Sequence, residues 1–192
     1  MLNSDFAALM GAFRLLQTLG RDGIQLFTAD RFNFRRSFFL ALVLLPLLLP
    51  GSLVDWQFSG QDKPAGALTS FFTATFVVFL LDWFGLPLVV WAALDGSRLS
   101  SRFYLFVICR NWCAIISALL ISTIQLLRLS QAVPEPLMIL LILAVFALTL
   151  AYRYWGIAAS LSAGPEIHLL MLGLDLSLSW AWVLIVYAAF GV

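Results

Sequence analysis

Residues 68–127 read LTSFFTATFVVFLLDWFGLPLVVWAALDGSRLSSRFYLFVICRNWCAIISALLISTIQLL. Two long apolar runs are joined by a polar link from Asp95-Gly96-Ser97-Arg98 to Arg102. Each run carries a single charge where hydrocarbon is expected: Asp82 in the first, Arg110 in the second. A charge at that depth is costly unless it faces protein, water or an opposite charge. If the runs form a hairpin, Asp82 and Arg110 approach each other. Arg153 and Asp175 are placed similarly in a second apolar pair nearer the C-terminus.

The 192-residue chain is 62% hydrophobic and only 11% charged. Its mean hydropathy of +1.00 belongs to a polytopic helical membrane protein. A β-barrel needs alternating apolar and polar residues, and runs such as 40–45 and 137–150 do not alternate. The expected fold class is therefore all-α: a five-helix transmembrane bundle with an N-terminal amphipathic interfacial helix. A net charge of +1 implies no attraction to nucleic acid. Cys109 and Cys113 lie four apart inside an apolar run, on one helix face. That spacing suits a disulfide poorly, and without His or acidic company the two thiols read as small packing residues.

Charges interrupt the first 30 residues (Asp5, Arg14, Arg21, Asp22, Asp30), so no cleavable signal peptide is expected. Phe6, Leu9, Met10, Phe13 and Leu16 recur at helical spacing. They predict a helix that lies in the membrane interface or packs against the bundle. Residues 1–36 form a cytoplasmic amphipathic and basic segment, closed by the collar Asp30-Arg31-Phe32-Asn33-Phe34-Arg35-Arg36. The transmembrane domain covers 37–192, with spans at about 37–54, 67–94, 103–127, 137–161 and 169–192. Pro46 should kink the first span, and Pro50-Gly51 should end it. Gly85-Leu86-Pro87 should bend the second. Pro134-Glu135-Pro136 should keep the link after the third span from being helical. Small residues four apart, Ala114/Ala118 and Gly156/Ser160, offer helix contact strips, and Gly173 and Ser177 share one face.

Five spans put the termini on opposite sides. Arg14, Arg21, Arg31, Arg35, Arg36, Arg98 and Arg102 collect on one side, against Lys63 and Arg128 on the other. That bias predicts a cytoplasmic N-terminus and an outside C-terminus, in the inner membrane if the protein is bacterial. Asp82, Arg110, Arg153 and Asp175 then share the cytoplasmic half and form one candidate intramembrane polar layer. Asp82–Arg110 and Arg153–Asp175 are the sequence-adjacent pairings, and cross-pairing is open. Such pairs either neutralise one another and hold helix register, or line a polar pocket or ion path. Arg153 can also snorkel to the headgroups beside Tyr154 and Trp155.

Catalytic and ligand motifs are not evident. GxxxxGK, GxGxxG and HExxH are absent, and a single histidine, His168, supplies neither a zinc triad nor a haem pair. His168 beside Glu166 reads as an interfacial residue. Ser160-Leu161-Ser162-Ala163-Gly164 has a serine near a glycine but no positioned histidine. No catalytic, cofactor or metal residue is assigned. Trp56, Trp91 and Trp155 fall near span ends, where amphipathic rings are favoured.

The span boundaries and the polar turn 95–102 resemble the Yip1-like group of small membrane proteins. That group has a cytoplasmic N-terminal segment, five closely spaced spans and short loops. The DLYGP signature of its eukaryotic members has no counterpart ahead of Ser37; Asp30-Arg31-Phe32-Asn33-Phe34 does not match it. The resemblance covers 37–192 as architecture and implies a membrane scaffold, with no functional residues to carry over. The expected function is a non-enzymatic scaffold or accessory subunit. Its expected partners are the lipid bilayer, other membrane proteins or a second copy of itself. The alternative is a small transporter or channel subunit using the charged layer.

Overall fold

The computed structural model describes residues 2–20, 22–58 and 67–191. Five helices in it are long and apolar enough to cross a membrane: Arg31–Gln57, Ala67–Leu94, Ser100–Ser130, Glu135–Leu161 and Pro165–Phe190. The protein is an all-α, multi-pass membrane bundle. For orientation, the side carrying the 95–102 turn is here the collar side, and its opposite the far side.

Helix α1 (Leu2–Gln17) precedes the spans. It docks against the third and fourth spans and buries Ala8, Gly11, Ala12 and Leu15. The turn that follows is held by Thr18, whose hydroxyl donates to Arg14 O at 2.7 Å and accepts from Asp22 N at 2.9 Å. Gly23 closes this turn at φ +113°, where a Cβ would fall 2.5 Å from Gly11 O. Only glycine fits there. Of the expected apolar face, Leu9 and Leu16 pack partly against the bundle, while Phe6, Met10 and Phe13 point outward. Small residues let two helix backbones approach closely, which is what packing inside a membrane rewards.

The basic collar is itself helical. Asp30 caps α2 (Arg31–Ser37), accepting from Asn33 N at 2.7 Å through Oδ1. A 3₁₀ turn at Phe38–Leu40 joins α2 to α3 (Ala41–Phe58), so the first span starts before Ser37. Pro50-Gly51 does not end it, contrary to expectation, and the helix runs through both prolines. Protein hydroxyls reach backbone carbonyls in the same stretch. Ser122 Oγ donates to Leu47 O, three residues before Pro50, and Ser52 Oγ donates to Leu48 O.

The second span matches the expected 67–94. It comprises α4 (Ala67–Leu80), a π-helical turn at Leu81–Gly85 and α5 (Leu86–Leu94). The irregularity lies upstream of Pro87, whose missing N–H leaves the ladder a place to widen. Helix α6 (Phe103–Ser130) is the third span and α7 (Glu135–Leu161) the fourth. The proline-rich link is shorter than expected because Pro134 and Pro136 start α7 rather than stop a helix. Helix α8 (Pro165–Phe190) likewise begins at a proline, four residues before the expected Leu169. The last expected residue, Val192, lies outside the described residues.

Helix α6 is the mast of the bundle: 61% of its most apolar window is buried, against 17% for α7 and for α8. All three core clusters include it. One joins it to α1 and α7, one to α5, α7 and α8, and one to α3 and the π turn. Gly156 of α7 lies against the Cys109 and Cys113 sulfurs, and Ser160 is fully buried on the same strip. Ala118 packs beside Leu44, with Ala114 against the same cluster. The face of Gly173 and Ser177 turns outward. Gly173 and Ser177 are exposed, and nothing lies within 4 Å of where a Gly173 Cβ would be. The two cysteines are free, buried packing residues with their sulfurs 3.8 Å apart.

A charged layer across the spans as candidate functional site

Charged residues in four separate segments arrive at one level because each lies a similar distance from its collar-side helix end. At ~1.5 Å per residue, Arg110 is ~10 Å from the start of α6 and Arg153 ~12 Å from the end of α7. Asp175 is ~15 Å from the start of α8 and Asp82 ~18 Å from Leu94. All four expected residues come together. Arg110 Nη2 reaches Asp82 Oδ2 at 3.0 Å, and Arg153 Nη1 reaches Asp175 Oδ2 at 2.7 Å. Cross-pairing also occurs, since Arg110 Nη2 lies 3.7 Å from Asp175 Oδ1. Arg110 therefore bridges the two sequence-adjacent pairs into one network.

The π turn positions Asp82. In that register the acceptor Asp82 O looks to the N–H of residue 87, which is a proline. Arg110 Nη2 supplies a donor instead, at 3.3 Å. Asp82 Oδ1 accepts from Ser179 Oγ at 2.5 Å. The Trp83 ring lies under the Arg110 guanidinium, 6.0 Å to the centroid. Its Nε1 donates to Phe38 O at 3.2 Å, tying the π turn to the first span.

Neutral groups extend the layer to the remaining span and to α1. Asn111, fully buried, donates through Nδ2 to Ser37 Oγ at 3.0 Å. Tyr152, also fully buried, donates to Ala12 O at 2.6 Å and fastens α1 to α7. Asp5 near the start of α1 pairs with Arg36 at the end of α2. Serines and an asparagine in apolar runs carry no periodic signature, so sequence reasoning passed over Ser37, Asn111 and Ser179. Trp83 stood out only as an aromatic away from a span end.

Burial grades the layer. Asp175 keeps 9% of its side chain exposed, Arg110 16%, Asp82 27% and Arg153 40%. Two carboxylates against two guanidiniums leave the network without net charge. Attraction between unit charges ~4 Å apart is of the order of 4 kcal/mol at an effective dielectric near 20, and desolvation offsets much of it. His168 does not join the layer. It is buried in the first turn of α8, and its ring meets Tyr154 edge-on at 5.9 Å. Among the described residues no three His, Cys, Asp or Glu side chains converge as a metal site.

Two cavities flank the layer. One, of about 200 Å³, runs from Asp82, Arg110 and Arg153 towards the far side between α3, α4 and α6. The other, of about 40 Å³, lies against Arg110, Tyr152, Gly156 and Asp175. No protein-family model, curated protein or solved structure matches this chain.

Proposed function

We propose that the protein is a non-enzymatic integral membrane protein, a scaffold or accessory subunit that binds other membrane proteins or lipids. The observation that carries this reading is the closed charge account of the layer: two arginines and two aspartates are directly paired and joined by Arg110. Such a network clasps helices in register and leaves no carboxylate free of a cation. The weakly buried α7 and α8 supply broad outward faces for neighbours in the membrane. Five spans with short turns support the Yip1-like architecture. Arg14, the basic collar and the 95–102 turn support a cytoplasmic N-terminus, in the inner membrane if the protein is bacterial. The test is mild-detergent capture of the protein from its native membrane. A stoichiometric membrane-protein partner or a second copy supports the reading, and a monomer that carries no protein or lipid argues against it.

A second reading, a small transporter or channel subunit, is favoured by the two cavities meeting at Arg110 and Asp175. Proteoliposome flux separates it from the first. Solute flux abolished by Asp82→Asn or Asp175→Asn in a folded protein would establish transport and sink the scaffold.

A further inference from the structure

We propose that the larger cavity is a lipid groove, holding one acyl chain of a glycerolipid from the collar-side leaflet with its ester carbonyl at Arg110. This rests on the reading that the protein engages membrane components, and it names one of them. The groove has an apolar wall and a polar floor. Leu44, Leu47, Leu48, Phe79, Ala118 and Ile121 line the wall, while Asp82, Arg110, Arg153 and Asp175 form the floor. From Arg110 to Ile121 it runs along α6 for ~16 Å at helical rise. Its direction is that of an acyl chain descending from the collar side towards the middle of the bilayer. The floor is not sealed, since Asp82 and Arg153 keep 27% and 40% of their side chains exposed.

Hydrogen bonding on the floor selects the head of the ligand. Arg110 Nη1 is buried and has no acceptor, although Nη2 donates to Asp82 O and Asp82 Oδ2; Asp175 Oδ1, 3.7 Å from Nη2, is likewise buried without a hydrogen bond. An unmet buried donor on a charged group is expensive. The charges already balance, so what Nη1 lacks is an acceptor without net charge. An ester carbonyl is such an acceptor, and it sits at the top of the acyl chain that would fill the apolar wall. A phosphate there would add uncompensated negative charge beside Asp82 and Asp175.

The test uses the full chain in nanodiscs with a diacyl phosphatidylglycerol carrying a diazirine midway along one chain. Photolabelling is mapped by mass spectrometry. The expected result is adducts concentrated on Leu47, Leu48 and Ile121 over the outward faces of α7 and α8. Gly51→Leu fills the groove from a position where a Cβ meets only Gln125 Cγ at 3.9 Å. It should cut groove labelling about tenfold, equivalent to a 1.4 kcal/mol loss of affinity. Ala114→Phe does the same from the opposite wall and serves if Gly51→Leu fails to fold. The matching phosphatidylethanolamine probe should label equally, because the ester is common to both. Labelling confined to outward faces, or unchanged in both folded variants, overturns the proposal, and labelling by phosphatidylglycerol alone overturns the carbonyl assignment. Capture of a protein partner would stand whichever way this experiment falls, so the two readings fail separately.

Discussion

Arg110 touches two carboxylates, a backbone carbonyl and an indole face, and its neighbours depend on it unequally. Arg110→Ala should destabilise the bundle by about 3 kcal/mol, because it strands Asp82 with only Ser179 as partner. Asp82→Ala should cost a similar amount, and the double variant less than the sum. Equilibrium unfolding by steric trapping in bicelles measures all three, and strict additivity would show that no clasp exists. Arg153→Ala should cost less than Arg110→Ala, since Asp175 keeps the Arg110 guanidinium 3.7 Å away. The four charges were legible from sequence because hydrocarbon makes any isolated charge conspicuous. Their partners were not. Ser179 looks like other serines in apolar runs, and only tertiary packing shows that its hydroxyl meets the Asp82 carboxylate.

At the scale of elements, the docking of α1 depends on one hydroxyl and one tight turn. Tyr152→Phe removes the bond to Ala12 O, a loss of about 1 kcal/mol, and should speed amide exchange across α1 with the spans unaffected. Gly23→Ala should act in the same place and more strongly, since its Cβ would collide with Gly11 O. Hydrogen–deuterium exchange resolves both, and protection of 2–17 at the wild-type level in both variants would show that α1 is held otherwise. Helix periods found α1 but left open whether it docks: Phe6, Met10 and Phe13 stay outward, while Ala8, Gly11, Ala12 and Leu15 make the contact. Pro50 was expected to end the first span and does not, whereas α6 ends at Ser130 ahead of Pro134, which stands at the start of α7.

For the whole molecule, alternation of the spans puts the 95–102 turn and the link after α6 on opposite faces of the membrane. A Ser97→Cys chain and a Gln131→Cys chain should react with membrane-impermeant maleimide from opposite sides, Ser97→Cys from the cytoplasm. The native thiols add no background, since Cys109 and Cys113 are 0% and 6% exposed. Labelling of both from one side would break the five-span topology, and a reversed pattern would overturn the orientation. This level was the most readable of the three. Apolar length needs no knowledge of packing, and each expected span overlaps an observed one. The lateral arrangement, with α6 at the centre and α7 and α8 at the margin, comes from contacts that hydropathy does not encode.

The bond from Tyr152 to Ala12 joins residues 140 positions apart. On the ribosome, at roughly 5–20 residues per second, Ala12 emerges on the order of ten seconds before its partner exists. The docking surface on α6 and α7 is made after α1, so α1 is synthesised well before it can be seated. Meanwhile Phe6, Met10 and Phe13 on one flank, with Ala8, Ala12 and Leu15 on the other, have only the membrane surface to rest on. An interfacial helix and a docked helix are then two stages in the life of one segment. Chains stalled before Tyr152 should show α1 crosslinked to lipid, and finished chains should show it crosslinked to α7.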